Sequence, residues 1–224
     1  MGEKVLVYCA SGKCGRNVCR ALIENGFEVY GTTRSKSSSL EKLGVKTVVA
    51  DYTKRKDLDR AFAETGAKRV VAITDFFLAA KQNVEVEFEH GKIGIEAARA
   101  AGVVHFIFIS IIGGAPGQYE FPSEIKHFFA KQRLEAYLAK SGYKDYSVLG
   151  PCAFFENFDD PVNYNPLTKG SLKFLTLNKI KFCSTYDVGR AASVMFNNPR
   201  FVTLLSRLVF LEIKFQMSSR VHPY

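Results

Sequence analysis

The sequence predicts an α/β fold, a doubly wound parallel sheet with a small C-terminal lobe. Six short apolar runs alternate with helical patterns over the first 150 residues. The runs are continuously apolar, as parallel strands are when helices cover both faces of the sheet. A turn containing two glycines joins the first run to the first helical pattern, as expected at the start of a β-α unit.

The strands and helices follow from local patterns. Strands are predicted where runs rich in Val, Ile, Phe and Tyr are bounded by glycine or polar residues, at residues 5–8, 28–32, 46–50, 69–73, 105–109 and 146–149. Helices are predicted where apolar residues recur every three or four positions and a glycine follows the end, at residues 15–25, 40–44, 57–65, 84–101 and 123–140. Right-handed crossovers between such units give a doubly wound sheet.

The pattern changes after residue 150. An aromatic and proline-containing loop follows, then two short strands within 170–183 and a helix over 187–196. The last 25 residues are apolar and basic, and no structure is predicted for them. The chain therefore divides into a first domain over 1–150, a small lobe over 151–199 and a tail over 200–224.

Composition places the chain among globular proteins. It has 224 residues, of which 47% are hydrophobic and 24% charged, which excludes a disordered, collagen-like or coiled-coil chain. The five cysteines match no zinc-binding spacing and are expected to be reduced, buried thiols. The N-terminus resembles no signal peptide, and the longest apolar stretch, 103–115, is too short to span a bilayer. We expect a cytoplasmic protein, possible in the nucleus as well, with no membrane contact.

The formal charge of +9 invites a nucleic-acid interpretation. The basic residues are scattered, however, and no RNA-binding or DNA-binding motif accompanies them. The sequence therefore gives little support to nucleic acid as a partner.

The turn after the first strand has the character of a phosphate-binding loop. It runs from Cys9 to Gly15 and places Gly12 and Gly15 in two positions of a G-x-x-G-x-x-G pattern, with Cys9 in the first. A helix N-terminus at this place presents free N–H groups to a phosphate. A purely structural β-α turn is the alternative. The residues expected to contact a dinucleotide here are Cys9, Ser11, Gly12, Lys13, Cys14 and Gly15.

The end of the second strand indicates which dinucleotide is bound. NAD sites usually carry an acidic residue there for the ribose hydroxyls, but this strand continues into Thr33, Arg34 and Lys36. A guanidinium matches a 2′-phosphate in a bidentate manner, and an ammonium adds charge. We therefore predict NADP(H) as the cofactor. A solvated basic turn is the alternative.

Several stretches together resemble the NmrA-like family, atypical members of the short-chain dehydrogenase/reductase superfamily. The likeness covers about residues 3–199 and is carried by the segments 9–15, 33–34, 70–76, 91–92, 97–103, 127–131, 150–157 and 187–192. The resemblance implies a Rossmann domain that binds NADP(H) and a small C-terminal lobe. Many such relatives are redox sensors that bind a regulatory protein without turnover, and others reduce quinones or related substrates. Relatives continue further after the helix at 187–196, so the lobe is expected to be curtailed.

The superfamily also implies candidate catalytic residues. Typical members use a tyrosine and a lysine four residues apart, with a serine from the preceding strand. Here Ser110 and Lys131 fall in matching places, and the tyrosine position holds His127. His127 is therefore the proton donor, or another group is, or there is none. Other residues expected to border the cofactor are Asp51, Thr74, Asp75, Phe76, Lys131, Phe154 and Asn157.

The sequence leaves two functions open. The first is an NADP(H)-binding, redox-sensing regulatory protein without strong turnover, and the second is an NADPH-dependent reductase of a quinone or small carbonyl. Whether the chain is an enzyme, what its partner is and how it oligomerises are not decided by the sequence.

Overall fold

The fold is described here from a computed structural model, which covers residues 2–111, 125–159, 180–197, 205–208 and 211–213. Its helices are α1 (Lys13–Glu24), α2 (Ser38–Glu41), α3 (Arg55–Thr65), α4 (Val84–Ala100), α5 (Lys126–Ala139) and α6 (Thr185–Asn197). Its strands are β1 (Lys4–Val7), β2 (Glu28–Thr33), β3 (Lys46–Val49), β4 (Arg69–Ala72), β5 (His105–Ile109), β6 (Tyr146–Pro151), β7 (Ala153–Phe154), β8 (Ile180–Cys183), β9 (Leu205–Leu208) and β10 (Leu211–Ile213).

The strands form a parallel sheet in the order β3-β2-β1-β4-β5-β6-β9. The order reverses between β1 and β4, which is the switch point at which doubly wound sheets bind ligands. The predicted α/β, Rossmann-type fold is confirmed. Element ends differ from the predicted ones by a few residues, as helix and strand boundaries commonly do.

Alternate residues of β1 supply the two apolar layers of the core. Val5 and Val7 point to the face covered by α1 and α6, and Leu6 and Tyr8 point to the face covered by α3, α4 and α5. All four side chains are buried, which explains why the strand is continuously apolar. The helices could approach closely because small residues face their neighbours: a Cβ on Gly189 of α6 would lie 2.6 Å from the backbone oxygen of Asn17 in α1.

The C-terminal residues contain two strands that the sequence did not predict. β9 joins the edge of the main sheet beside β6, and β10 pairs antiparallel with β8 in a second sheet of order β10-β8-β7. The tail predicted over 200–224 is therefore partly structured. The first of the two strands predicted within 170–183, and the beginning of the helix predicted from 123, lie outside the described residues.

No helix in the described ranges is both long and apolar enough to cross a bilayer.

Candidate nucleotide site and buried polar cluster

The predicted phosphate loop lies at the carboxyl end of β1 and leads into α1. Cys9 has a φ of +52°, a left-handed conformation that favours glycine, and its carbonyl accepts the N–H of Gly12 at 3.0 Å. A Cβ on Gly15 would lie only 2.2 Å from that carbonyl oxygen. The turn is thus closed tightly against the helix, and position 15 has room for glycine alone.

The N-terminus of α1 offers backbone donors to a ligand. Its N-cap is Gly12, which makes no side-chain capping bond, and no acidic residue lies in the first turn. By contrast, α4 is capped by Asn83, whose side chain accepts the N–H groups of Glu85 and Val86. The first N–H groups of an uncapped helix need an outside acceptor such as phosphate. Ser11 of the same loop is exposed.

The two cysteines of the loop are neutral thiols. Burial, with Asp75 nearby, raises the pKa of Cys9 to about 12, and burial raises the pKa of Cys14 to about 12. A thiol with so high a pKa is a poor nucleophile near neutral pH. Near the Cys9 thiol, the Tyr52 hydroxyl accepts the N–H of Asp75 at 3.0 Å. These contacts join the carboxyl ends of β1, β3 and β4.

Lys13 links the loop to the segment after β7. Its Nζ donates to the carbonyl oxygen of Glu156 at 2.9 Å, within the 3-10 helix Phe155–Asp159. The Glu156 carboxylate in turn accepts the N–H of Thr185 at 2.9 Å and its hydroxyl at 2.8 Å. Glu156 therefore caps the N-terminus of α6.

The loop after β2 carries the residues predicted for a 2′-phosphate. Thr33 is buried, and its hydroxyl donates to the carbonyl of Ser35 at 2.6 Å, which shapes the turn. Arg34 and Lys36 are exposed. The structure adds Arg16 of α1, whose guanidinium donates to Ser39 at 3.0 Å. Arg16 could have been suspected from the sequence, because it follows Gly15 directly.

The two acidic residues predicted to border the cofactor, Asp51 and Asp75, shape the turns that follow β3 and β4. One Asp51 oxygen accepts the N–H and the hydroxyl of Thr53, and Lys54 lies 3.9 Å from the other. Burial opposes ionisation of Asp51, but the Thr53 bonds and the charge of Lys54 lower its pKa overall. Asp75 accepts the N–H groups of Phe77 and Leu78 at 3.1 and 3.0 Å. Both carboxylates are held by their own loops.

Lys131 lies inside a buried cluster with Glu87 and Thr74. Its Nζ is 3.0 Å from Glu87 Oε1, and it donates to the Thr74 hydroxyl and lies 3.4 Å from the Thr74 carbonyl oxygen. The Thr74 hydroxyl donates to the same Glu87 oxygen at 2.6 Å. The Lys131 and Glu87 side chains are 4% and 0% exposed. An ammonium has three N–H donors, so these contacts occupy Lys131 fully.

The carboxylate of Glu87 is ionised. Burial alone would raise its pKa, but the charge of Lys131, the nearby His127 ring and the hydrogen bond of Thr74 outweigh burial and lower the pKa to about 2. A buried carboxylate and ammonium side by side compensate each other, which is the condition under which such charges persist in a protein core.

His127 lies beside the buried cluster and is partly exposed to solvent. It lies in the first turn of α5 with 26% of its side chain exposed, and its Nδ1 is 3.7 Å from Glu87 Oε2. Its ring packs against Phe76 and Phe77, with centroids 5.1 and 5.5 Å away. The third predicted catalytic residue, Ser110, is buried and donates to Glu135 of α5.

Two predicted residues lie in the segment after β6, which contacts α1 and α6. Phe154, in β7, packs against the core cluster that contains Val188 of α6, and Asn157 is half-buried in the 3-10 helix. The structure therefore places the nucleotide-loop residues and the buried cluster at one edge of the sheet.

Comparison with known proteins decides the family. A model of the NmrA-like family matches residues 1–210. The chain belongs to the NmrA-like family. Among curated relatives, the oxidoreductase FrzB of Cladobotryum sp, which carries an NmrA-like family domain, is 29% identical over 163 residues, covering 69% of this chain and 47% of that protein. A divinyl chlorophyllide a 8-vinyl-reductase of Oryza sativa is 27% identical over 174 residues, covering 70% of this chain and 42% of that protein. The chain spans about half the length of the curated relatives it matches.

A solved structure supports the fold of this NmrA-like chain. The triphenylmethane reductase of Citrobacter sp., determined with NADP(H), superposes with a TM-score of 0.73 at 19% identity, covering 92% of this chain and 70% of that one. At this identity the likeness concerns the fold.

The sequence alone did not single out Glu87. A signal was nevertheless present in the NmrA-like chain. Glu87 shares its face of α4 with Gly91, Ile95 and Ala98, which are all buried. A carboxylate on a helix face that is otherwise small and apolar requires a buried partner, and Lys131 is that partner.

Proposed function

We propose that this chain binds NADP(H) and reduces a quinone or small carbonyl substrate, with His127 supplying the proton. The observation that carries the proposal is the arrangement of the buried cluster. Three buried residues contact one another, namely Glu87, Lys131 and Thr74. The partly exposed imidazole of His127 lies beside Glu87. Imidazole exchanges protons near neutral pH, which suits a general acid.

The phosphate loop fits a dinucleotide. The first turn of α1 is uncapped and free of acidic side chains, and Gly15 permits the tight approach of loop and helix. A pyrophosphate there would accept N–H groups from the first turn of the helix. The Citrobacter sp. reductase, which shares the fold, was determined with NADP(H).

The second loop favours the phosphorylated cofactor. Arg34 and Lys36 are exposed, and Arg16 reaches the same loop through Ser39. Three cationic side chains around one turn suit a dianionic 2′-phosphate better than a pair of ribose hydroxyls. An acidic residue that would select the hydroxyls is not found at the end of β2.

The residues of this chain would divide the reduction between them. Bound NADPH supplies a hydride, which carries two electrons to the substrate. His127 gives the substrate oxygen its proton. Lys131 keeps Glu87 ionised and in place, since its donors are engaged with Glu87 and Thr74. Ser110, whose hydroxyl donates to Glu135, stabilises the packing of α5 against β5.

Calorimetry tests the cofactor. Arg34→Gln should weaken NADPH binding about 10- to 100-fold, because charge-assisted hydrogen bonds are worth about 1.5–3 kcal/mol, and should leave NADH binding nearly unchanged. Arg55→Gln, at an exposed arginine of α3, is the matched control. Equal effects on both dinucleotides would overturn the choice of NADP(H).

Turnover tests the reduction. NADPH oxidation is followed against a panel of quinones and aldehydes, and His127→Gln should lower kcat by about 100-fold or more while NADPH binding persists. Turnover that survives His127→Gln would show that another group donates the proton. Turnover abolished by Lys131→Met is expected as well, but it does not identify the donor, because that variant also disturbs Glu87.

A regulatory, redox-sensing role is the second candidate. It is favoured by the internal engagement of Ser110 and Lys131, which leaves neither in the role that the superfamily gives it. Tight NADPH binding together with no oxidation of any panel substrate would support this role against the reductase. Binding of neither dinucleotide would refute both.

A further inference from the structure

Two buried polar atoms face each other in the cluster. Glu87 Oε2 and His127 Nδ1 are 3.7 Å apart, and neither has a hydrogen-bond partner among the residues that the structure describes. A polar atom buried without a partner is unfavourable, more so when it is charged. Each atom is therefore an available partner for the other.

The gap between them excludes a bridging water. A water that bonds both atoms would need two hydrogen bonds of 2.7–3.2 Å, which span about 4.5 Å when they meet at a tetrahedral angle. The observed 3.7 Å is shorter than that and longer than a direct bond. A shift of less than about 1 Å in the His127 ring makes the contact direct.

The two oxygens of Glu87 have different partners. Oε1 accepts from Lys131 and from the Thr74 hydroxyl, which leaves Oε2 directed at His127. An ionised carboxylate can only accept hydrogen bonds. A contact with His127 therefore requires a proton on Nδ1, and the ring's other nitrogen, Nε2, is the atom left to exchange a proton with a substrate.

We infer that Glu87 is a positioning residue that holds His127 in the tautomer with its proton on Nδ1. The inference rests on the proposed reduction, in which His127 is the proton donor, and assigns to Glu87 the role of fixing the tautomer of that donor. In the step itself, protonated His127 gives the Nε2 proton to the substrate oxygen as the substrate carbon takes the hydride. The neutral ring keeps its Nδ1 proton, and the Nδ1–H group donates a hydrogen bond to Glu87. Nε2 then regains a proton from solvent.

The tautomer can be measured without any turnover. Long-range ¹H–¹⁵N spectra of the 224-residue chain report which nitrogen of each histidine is protonated, and substitution assigns the four histidines. In the neutral form we expect His127 to carry its proton on Nδ1, whereas an unconstrained imidazole favours Nε2. A neutral His127 protonated on Nε2 in the wild-type chain would overturn the inference, whatever the kinetic results are.

Variants then connect the tautomer to its cause. Glu87→Gln should abolish the preference for Nδ1–H, since an amide can donate to that nitrogen. Glu85→Gln is the matched control, because Glu85 lies on the same helix, is 71% exposed and pairs with Arg133. An unchanged tautomer in folded Glu87→Gln would refute the role. Circular dichroism verifies folding, and the wild-type spectrum decides the matter if this variant is unfolded.

Kinetics separates positioning from binding. Where turnover is found, Glu87→Gln should lower kcat about tenfold or more with KM and NADPH affinity nearly unchanged, and Glu85→Gln should alter neither. A rise in KM alone would contradict a positioning role. If no substrate turns over, the reductase proposal fails while the tautomer measurement still confirms or refutes the contact between Glu87 and His127.

Discussion

Replacing Lys131 with methionine should destabilise the fold strongly, because it leaves the Glu87 carboxylate buried without its counter-ion. The pKa of Glu87 falls from an ordinary 4.5 to about 2 in the folded chain. At 1.36 kcal/mol per pKa unit, that difference corresponds to about 3 kcal/mol of stability at neutral pH. In other proteins, removing one partner of a buried ion pair costs about 3–5 kcal/mol of stability, which is consistent with the value from the pKa difference.

The neighbouring pair supplies a control. Arg133 of α5 and Glu85 of α4 form a second ion pair between the same two helices, with side chains 28% and 71% exposed. Arg133→Met should therefore cost less than about 1 kcal/mol. Unfolding in urea, followed by circular dichroism because the chain has no tryptophan, gives both values.

A double variant and the pH dependence of stability complete the test of the Glu87–Lys131 pair. Glu87→Gln combined with Lys131→Met removes both charges, so it should be more stable than Lys131→Met alone. In the wild-type chain the contribution of Glu87 is complete above pH 4.5 and is lost as the pH falls from 4.5 to about 2. If Lys131→Met costs no more than Arg133→Met, or the double variant is no more stable, the buried pair does not hold α4 against α5.

Three further predictions concern other parts of the fold. Gly15→Ala should weaken NADPH binding more than tenfold and cost about 1–3 kcal/mol, because its Cβ would lie 2.2 Å from the Cys9 carbonyl oxygen; equal calorimetric affinity would contradict this. Gly189→Ala should cost a similar amount in urea unfolding, since its Cβ would meet the backbone of α1 at 2.6 Å, and a neutral result would show that α6 can move away. Burial and a nearby arginine lower the pKa of His105 to about 4 from 6.5, so wild-type stability should fall by about 3 kcal/mol as the pH drops from 6.5 to 4; the same fall in His105→Gln would assign it to another group.

Local patterns were sufficient for the first six strands of the main sheet. The strand at His105–Ile109 is predicted with its exact bounds, at a run rich in Phe and Ile that ends before a serine. The strands β9 and β10 were missed, since the apolar residues from 204 to 213 fit neither a period of two nor one of 3.6. Their place is set by pairing with β6 and β8, which are distant in sequence.

The candidate site was predictable only where its residues are close in sequence. The loop residues around Gly15 follow one another in the chain, so their proximity could be read from the sequence. The environment of Lys131 could not, because it depends on how α4 packs against α5. The resemblance implied that Lys131 contacts a cofactor, whereas the structure pairs it with Glu87. That Lys131 contacts the cofactor remains a prediction, and it requires Lys131 to exchange one of its present contacts.

The packing of α6 has a practical consequence for anyone who wishes to produce the nucleotide-binding part alone. Val188, Ala192 and Met195 of α6 belong to the same apolar cluster as Val18 and Leu22 of α1. A shortened chain that stopped at residue 150, the predicted domain boundary, would expose that face of α1 to solvent and leave the helix without its neighbour. A useful truncation must therefore retain α6, even though it lies beyond the predicted phosphate loop and the strands β1 to β5.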